Sequence, residues 1–143
     1  MNEDLLYGDL TYKIIGLGMQ VHRTLGHGYL EKVYENSLMV LFRRSGIFAE
    51  QQVPIKVSFE GEIVGDYCAD ILVERKIIVE LKVADRITNI HKAQTLNYLK
   101  ATGLDLALIL NFGAQSFEHH RLINRLAKPA TEFEQRIDTD FRG

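Results

Sequence analysis

Cysteine is almost missing from this chain. Cys68 is the sole one in 143 residues, which excludes an internal disulfide framework and makes a reducing, cytoplasmic location the expectation. Proline is equally scarce, with two residues, and no proline-rich or serine-rich stretch marks a linker between domains. No apolar run approaches the ~18 residues needed to cross a bilayer, so no membrane partner is expected. The opening Met1-Asn2-Glu3-Asp4 has neither the positive charge nor the apolar run of a signal peptide. There is no excess of positive charge either: 17 Lys and Arg stand against 19 Asp and Glu, a formal net charge of -2. That weighs against a broad basic field for phosphates, so any nucleic-acid contact must come from a local cluster. Arg43, Arg44, Lys92, Lys100, Arg121 and Arg125 could line such a groove, although scattered basic residues are usually a solvated surface. What is present, 46% hydrophobic residues, fits one domain with one core.

Periodicity divides the chain into elements. Asp9 to Leu25 has Ile14, Leu17, Val21 and Leu25 at helical spacing, with Asp9 as candidate cap and Gly26 as stop. A second helix runs from about Leu30 to Arg44, with Glu31, Tyr34, Leu38 and Leu41 on one face and Gly46 at its end. Val53, Ile55, Val57 and Phe59 alternate with polar residues as in a half-buried strand, and Pro54 places it near an edge. Turns at Glu60-Gly61-Glu62 and Glu74-Arg75-Lys76 lead into strands Ile63 to Val73 and Ile77 to Val83. Thr88 or Asn89 then caps a helix ending at Gly103, and Leu104 to Phe112 reads as a strand buried on both faces. The segment after Phe117 fits an edge strand or a short helix equally well. Residues 1–127 are thus expected to form the domain, and 128–143 a weakly docked or mobile tail.

The chemistry lies in the middle of this order. If Glu74-Arg75-Lys76 is a three-residue hairpin loop, Val73 pairs with Ile77 and Asp70 falls opposite Glu80. Two facing carboxylates destabilise a strand pair, so a positive group is expected between them. Lys82, two residues beyond Glu80, shares its face. A hard cation such as magnesium suits this oxygen-rich pair, with the Leu81 carbonyl as a further ligand, and phosphodiester hydrolysis is the chemistry such a site supports. The plainer alternative is a solvated Glu80–Lys82 charge pair with Asp70 beside it. A register slip of one residue would also put Asp70 and Glu80 on opposite faces. His119, His120 and Cys68 lack the spacing of a zinc site.

Asp70 followed by Glu80-Leu81-Lys82 on strands, with a helix after them, resembles the core of the PD-(D/E)xK nuclease superfamily. Upstream, Gly28-Tyr29-Leu30-Glu31-Lys32-Val33-Tyr34 resembles the signature of the GxxExxY protein family, a branch of that superfamily. Val21-His22, Leu25-Gly26, Tyr34-Glu35-Asn36, Ala93-Gln94 and Asn111-Phe112-Gly113 extend the likeness from about Asp9 to Ile123. The family's proline is replaced by Ala69, a position without ligand chemistry. The resemblance implies a single α/β domain with a mixed central sheet flanked by helices. It further implies a Mg2+- or Mn2+-dependent nuclease in which Asp70, Glu80, Leu81 and Glu31 hold metal, Lys82 orients water or stabilises charge, and Gln94 holds Lys82 or a substrate phosphate. The partner implied is DNA or RNA, with a homodimer as one way for so small a domain to grip two strands. A binding module that keeps the fold without hydrolysis is the other reading. His91 and Tyr98 share the face of Gln94, and a satisfied surface or core role for His91 and a packing role for Tyr98 are the simpler expectations.

Overall fold

In the structure, a computed structural model that describes residues 6–124 and Phe133, the apolar stripes become packed faces as expected. Helix α1 (Gly8–Leu25) buries Ile14 and Val21. Asp9 does not cap it: Tyr7 precedes the first turn without a side-chain bond, and Asp9 lies inside that turn, where the helix dipole favours a carboxylate. The helix stops at Gly26, whose φ of 70° suits a residue without Cβ. Helix α2 (Glu31–Arg44) buries Tyr34, Leu38 and Phe42. The Tyr34 hydroxyl donates to the Gly26 carbonyl at 2.7 Å, and its ring stacks on Phe112 at 4.7 Å. The entry to α2 is thereby fixed against both the end of α1 and the sheet.

Five strands form one sheet in the order β1-β2-β3-β4-β5. Strands β1 (Ala49–Phe59), β2 (Glu62–Val73) and β3 (Ile77–Lys82) make the antiparallel meander. Helix α3 (Asn89–Thr102) carries the chain across to β4 (Leu106–Asn111), which runs parallel to β3 and is buried throughout. The undecided segment after Phe117 is strand β5 (Glu118–Ile123), at the edge beside β4. Pro54 lies on edge strand β1, where its missing N–H is tolerated. Of the two expected caps it is Thr88 that caps α3, accepting from the His91 N–H, while the His91 ring accepts from the Thr88 N–H in return.

The sheet is covered on both faces. Ile71, Val73, Ile77, Val79 and Leu81 face α1 and α2, while Leu72, Ile78 and Ala107 face α3. Along β1 and β2 the alternation changes side. Ala49 packs with Ile71 and Val73 toward α2, but Val53, Ile55 and Ala69 pack toward α3. The change falls at Gln52, in left-handed backbone at φ 52°, and at Asp70 across from it. The outer arm of this strand pair therefore curls over α3. Phe133 is buried in the α3-side cluster; the other residues of the expected tail, 128–143, lie outside the described residues. No helix among the described residues is long and apolar enough to cross a membrane.

The end of β3 is held from β4. The Asn111 side chain accepts from the Ala84 N–H at 3.0 Å and donates to the Ala84 carbonyl at 2.9 Å. Gly113 passes so close that a Cβ there would lie 2.3 Å from the Ala84 nitrogen. Because the obstacle is backbone, Gly113→Ala should lower unfolding free energy by about 2–3 kcal/mol, read as a reduced urea midpoint. An unchanged midpoint would mean that the loop after Lys82 yields without cost.

Candidate active site

The three-residue turn forms as counted, with Glu74 and Arg75 at φ 52° and 54° and Val73 paired with Ile77. The backbone ladder runs through Ile71 opposite Val79. At the next position the carboxylates enter the hydrogen bonding themselves. The Asp70 N–H donates to Glu80 Oε1 at 3.1 Å, and the Leu81 N–H donates to Asp70 Oδ2 at 2.8 Å. Backbone N–H groups thus supply positive ends at the two acids, in addition to Lys82, whose charge also acts on Glu80. They are available because strand pairing gives way there to side-chain acceptors, and a buried N–H must find a partner.

Glu80 is 5% exposed, far more buried than an ordinary glutamate. Burial first, and then the Asp70 charge, push its carboxyl up to about 8, against the Asp70 N–H and the Lys82 ammonium, which favour the charged form. Glu31 opens α2 and is half buried. Its carboxyl is pushed up to about 7 by burial and by Asp70, with Lys82 opposing. Glu31, Asp70, Glu80 and Lys82, drawn from α2, β2 and β3, thus meet at one end of the sheet. Asp70 and Glu80 fall together rather than on opposite faces, so the register slip does not occur.

Sequence reasoning overlooked several neighbours. Glu35 is 1% exposed and receives Lys32 at 2.9 Å, Gln51 at 2.6 Å and Gln52 at 2.9 Å. Gln52 also reaches toward Asp70 Oδ1 at 3.5 Å. The interval of four from Glu31 to Glu35 was a readable signal for one helix face. Nothing in local pattern marked Gln52, because its position depends on the strand's change of side. Tyr98, expected to pack, does so against Tyr67 at 5.6 Å, yet its hydroxyl is held above the usual tyrosine range by burial and then by Glu80. The tyrosine thus borders the acidic cluster.

Gln94 is exposed on α3 and lines a cleft of about 820 Å³ beside Tyr98. It makes no hydrogen bond to Lys82 among the described residues. Among the described residues the basic side chains do not gather into one groove. Arg43 and Arg44 stand at the end of α2 away from Glu31, Arg121 bonds the Leu6 carbonyl, and Arg125 lies outside the described residues; Lys100 lines the cleft. Cys68 on β2 and the histidines of β5 are separated by two strands, which leaves no zinc site between them.

The meeting of an Asp on β2, a Glu-Leu-Lys run on β3 and a helical Glu is matched by the sequence comparison, in which residues 8–125 fit the PD-(D/E)XK nuclease superfamily. The chain belongs to that superfamily. No curated protein matches this PD-(D/E)XK chain. Among solved structures it is similar to the crystal structure of SSO0001, with 16% sequence identity and a TM-score of 0.55. That likeness covers 67% of this chain and 50% of the other, so this chain spans about half the length of that relative and shares with it the fold.

PD-(D/E)XK nucleases typically use divalent metals. Among the described residues no three His, Cys, Asp or Glu side chains form a ready-made cage, and Asp70 and Glu80 each accept a backbone N–H with one oxygen. The donor set nevertheless fits a hard cation. It consists of carboxylate oxygens, two of them on carboxyls pushed upward by burial and by Asp70, with Lys82 as the positive side chain that opposes their charge.

Proposed function

We propose that this chain is a metal-dependent nuclease of the GxxExxY branch, hydrolysing phosphodiester bonds of DNA or RNA. The observation that carries the reading is the convergence of Glu31, Asp70 and Glu80 beside Lys82 at the open end of β3. A structural charge network has little reason to bury Glu80 against a second carboxylate, because burying like charges is destabilising. Functional sites tolerate that cost.

Asp70, Glu80, Glu31 and the Leu81 carbonyl would hold Mg2+ or Mn2+, which when bound supplies Lewis acidity toward the phosphodiester. The remaining roles belong to the chain. The Leu81 N–H fixes the Asp70 carboxylate in place. Lys82 sets a positive charge where negative charge grows on the phosphoryl oxygens. Glu31, at the edge of the cluster, is placed to orient a water and to take its proton at a carboxylate oxygen.

The test is cleavage of supercoiled plasmid, single-stranded DNA and RNA by pure protein with magnesium or manganese. Cleavage that EDTA abolishes is expected. Absence of cleavage of every substrate with either metal would remove the nuclease reading, and tight nucleic-acid binding without turnover would then favour the binding module.

A further inference from the structure

The change of side at Gln52 and Asp70 has produced more than a place for two carboxylates. By curling the outer arm of β1 and β2 over α3, it leaves the cleft of about 820 Å³ between them. That volume is within the ~300–1,000 Å³ typical of small-ligand sites and comfortable for a nucleotide. Tyr67 and Ile63 line it from the arm, and Gln94, Asn97 and Tyr98 from the helix.

Tyr67 is the notable residue. It is 49% exposed, on the outer part of β2, where Ile63 and Val64 are exposed as well. Its position is prepared by Gly65, two residues earlier on the same face: a Cβ at 65 would lie 2.8 Å from the Tyr67 ring. The glycine thus gives the ring room to lie along the strand, where Tyr98 braces it at 5.6 Å. One part of the ring surface is fixed by packing, and the rest is open to the cleft. Gln94 and Asn97 are exposed amides on the facing wall, each carrying both donors and an acceptor. Lys56, paired with Asp66, and Lys100 stand at the rim as positive groups. Tyr98 joins this cleft to the acidic cluster, since Glu80 and Asp70 act on its hydroxyl.

We infer that the cleft takes an unpaired nucleobase of the substrate strand, stacked on Tyr67 and hydrogen-bonded by Gln94 and Asn97, so that the substrate class is single-stranded or locally unpaired nucleic acid. This rests on the nuclease reading and extends it to substrate choice. An aromatic ring stacks on the exposed face of any base that has left the duplex stack, and amides reach the Watson–Crick edge only of an unpaired base. A paired base inside a helix cannot enter a cleft walled by a strand arm and a helix. Lys56 and Lys100 complement the phosphates on either side, which supplies locally the positive charge that the chain lacks overall.

The experiment titrates short fluorescein-labelled DNA and RNA, each single-stranded and duplex, into Glu80→Gln protein in magnesium, and repeats it in Tyr67→Ala and Tyr67→Phe backgrounds. Single strands should bind at least about tenfold tighter than duplexes, Tyr67→Ala should remove about tenfold of that affinity, and Tyr67→Phe should restore it. The DNA and RNA arms identify which sugar the cleft accepts. Gly65→Ala, which displaces the ring without removing it, should weaken single strands and leave duplexes unchanged. Equal affinity of Tyr67→Ala and its parent, equal binding of duplex and single strand, or no binding at all would each overturn the assignment. If wild-type protein cleaves and Tyr67→Ala cleaves single strands with the same KM, the cleft assignment fails while the nuclease reading stands. If the cleft binds as described but wild-type protein cleaves nothing, the nuclease reading fails instead.

Discussion

Glu80→Gln is expected to be more stable than the wild-type chain at pH 8 without divalent cations, by ~3 kcal/mol, while losing about a thousandfold or more in cleavage. The sign follows from the direction of the shift. The Glu80 carboxyl is raised to about 8 in the folded protein, from the 4.5 of a free glutamate. Between those values the native state binds a proton that the unfolded chain has already lost. Stability contributed by the neutral carboxyl is therefore present below about pH 4.5 and is lost as pH rises toward 8. Glu31, raised to about 7, adds to the loss in the same window. Glutamine copies the neutral acid: its amide oxygen still accepts the Asp70 N–H that now reaches Glu80 Oε1, and it carries no charge to repel Asp70. Wild type and variant should accordingly converge near pH 5 and separate by pH 8. Millimolar magnesium should recover much of the wild-type loss, because a ligand bound only by the native state stabilises it, and should do little for the variant. Urea unfolding at the two pH values, with and without magnesium, measures all four terms. A wild-type chain as stable as Glu80→Gln at pH 8 would remove the repulsion on which the metal assignment leans.

Lys82→Ala is expected to lower kcat by about 10²–10³-fold, with a smaller change in KM, because the ammonium acts on charge that develops during the reaction. Lys82 is also the cation that opposes the upward shifts of both Glu31 and Glu80. Its removal should push both carboxyls further up, so that the loss of metal-free stability continues to higher pH and is deeper at pH 8, an effect opposite in sign to Glu80→Gln. The pair of variants thus separates chemistry from electrostatics: both lose activity, but one gains stability at pH 8 and the other loses it. Lys82→Arg should not restore full activity, since a planar guanidinium cannot replace a compact ammonium at a crowded carboxylate cluster. Unimpaired cleavage by Lys82→Ala would remove the charge-stabilising role assigned to Lys82.

Most of the architecture was legible locally. The stripes of Ile14 and Val21, and of Tyr34 and Leu38, marked buried helix faces. The apolar run of β4 marked a strand covered on both sides, and Gly26 and Gly103 marked helix ends. The errors lay where side chains and backbone compete for the same partner. Asp9 is a capable cap, but the first turn forms two residues earlier than such a cap would set it, after Tyr7. β1 begins at Ala49 rather than Val53, because Glu50, Gln51 and Gln52 break the apolar alternation just where the strand changes sides. The residues after Phe117 carry the mixed pattern of an edge strand and were undecidable until β4 offered them an edge.

The sequence by itself determined the register that matters. A three-residue turn between Val73 and Ile77 places Asp70 opposite Glu80 by counting alone, because a hairpin's pairing is set by its loop, and Lys82 follows from a period of two. Glu31 could be given an inward face from its helical spacing. Tertiary structure alone decided how the acids live together: backbone N–H groups of Asp70 and Leu81 reach the carboxylates, and Gln52 links Asp70 to the buried Glu35. It alone also brought Tyr67 and Tyr98 to one cleft. The reason is physical. Turn length and residue period act between neighbours in the chain, whereas the bend at Gln52 and Asp70 arises from packing two sheet faces against helices on opposite sides, and no local pattern records that demand.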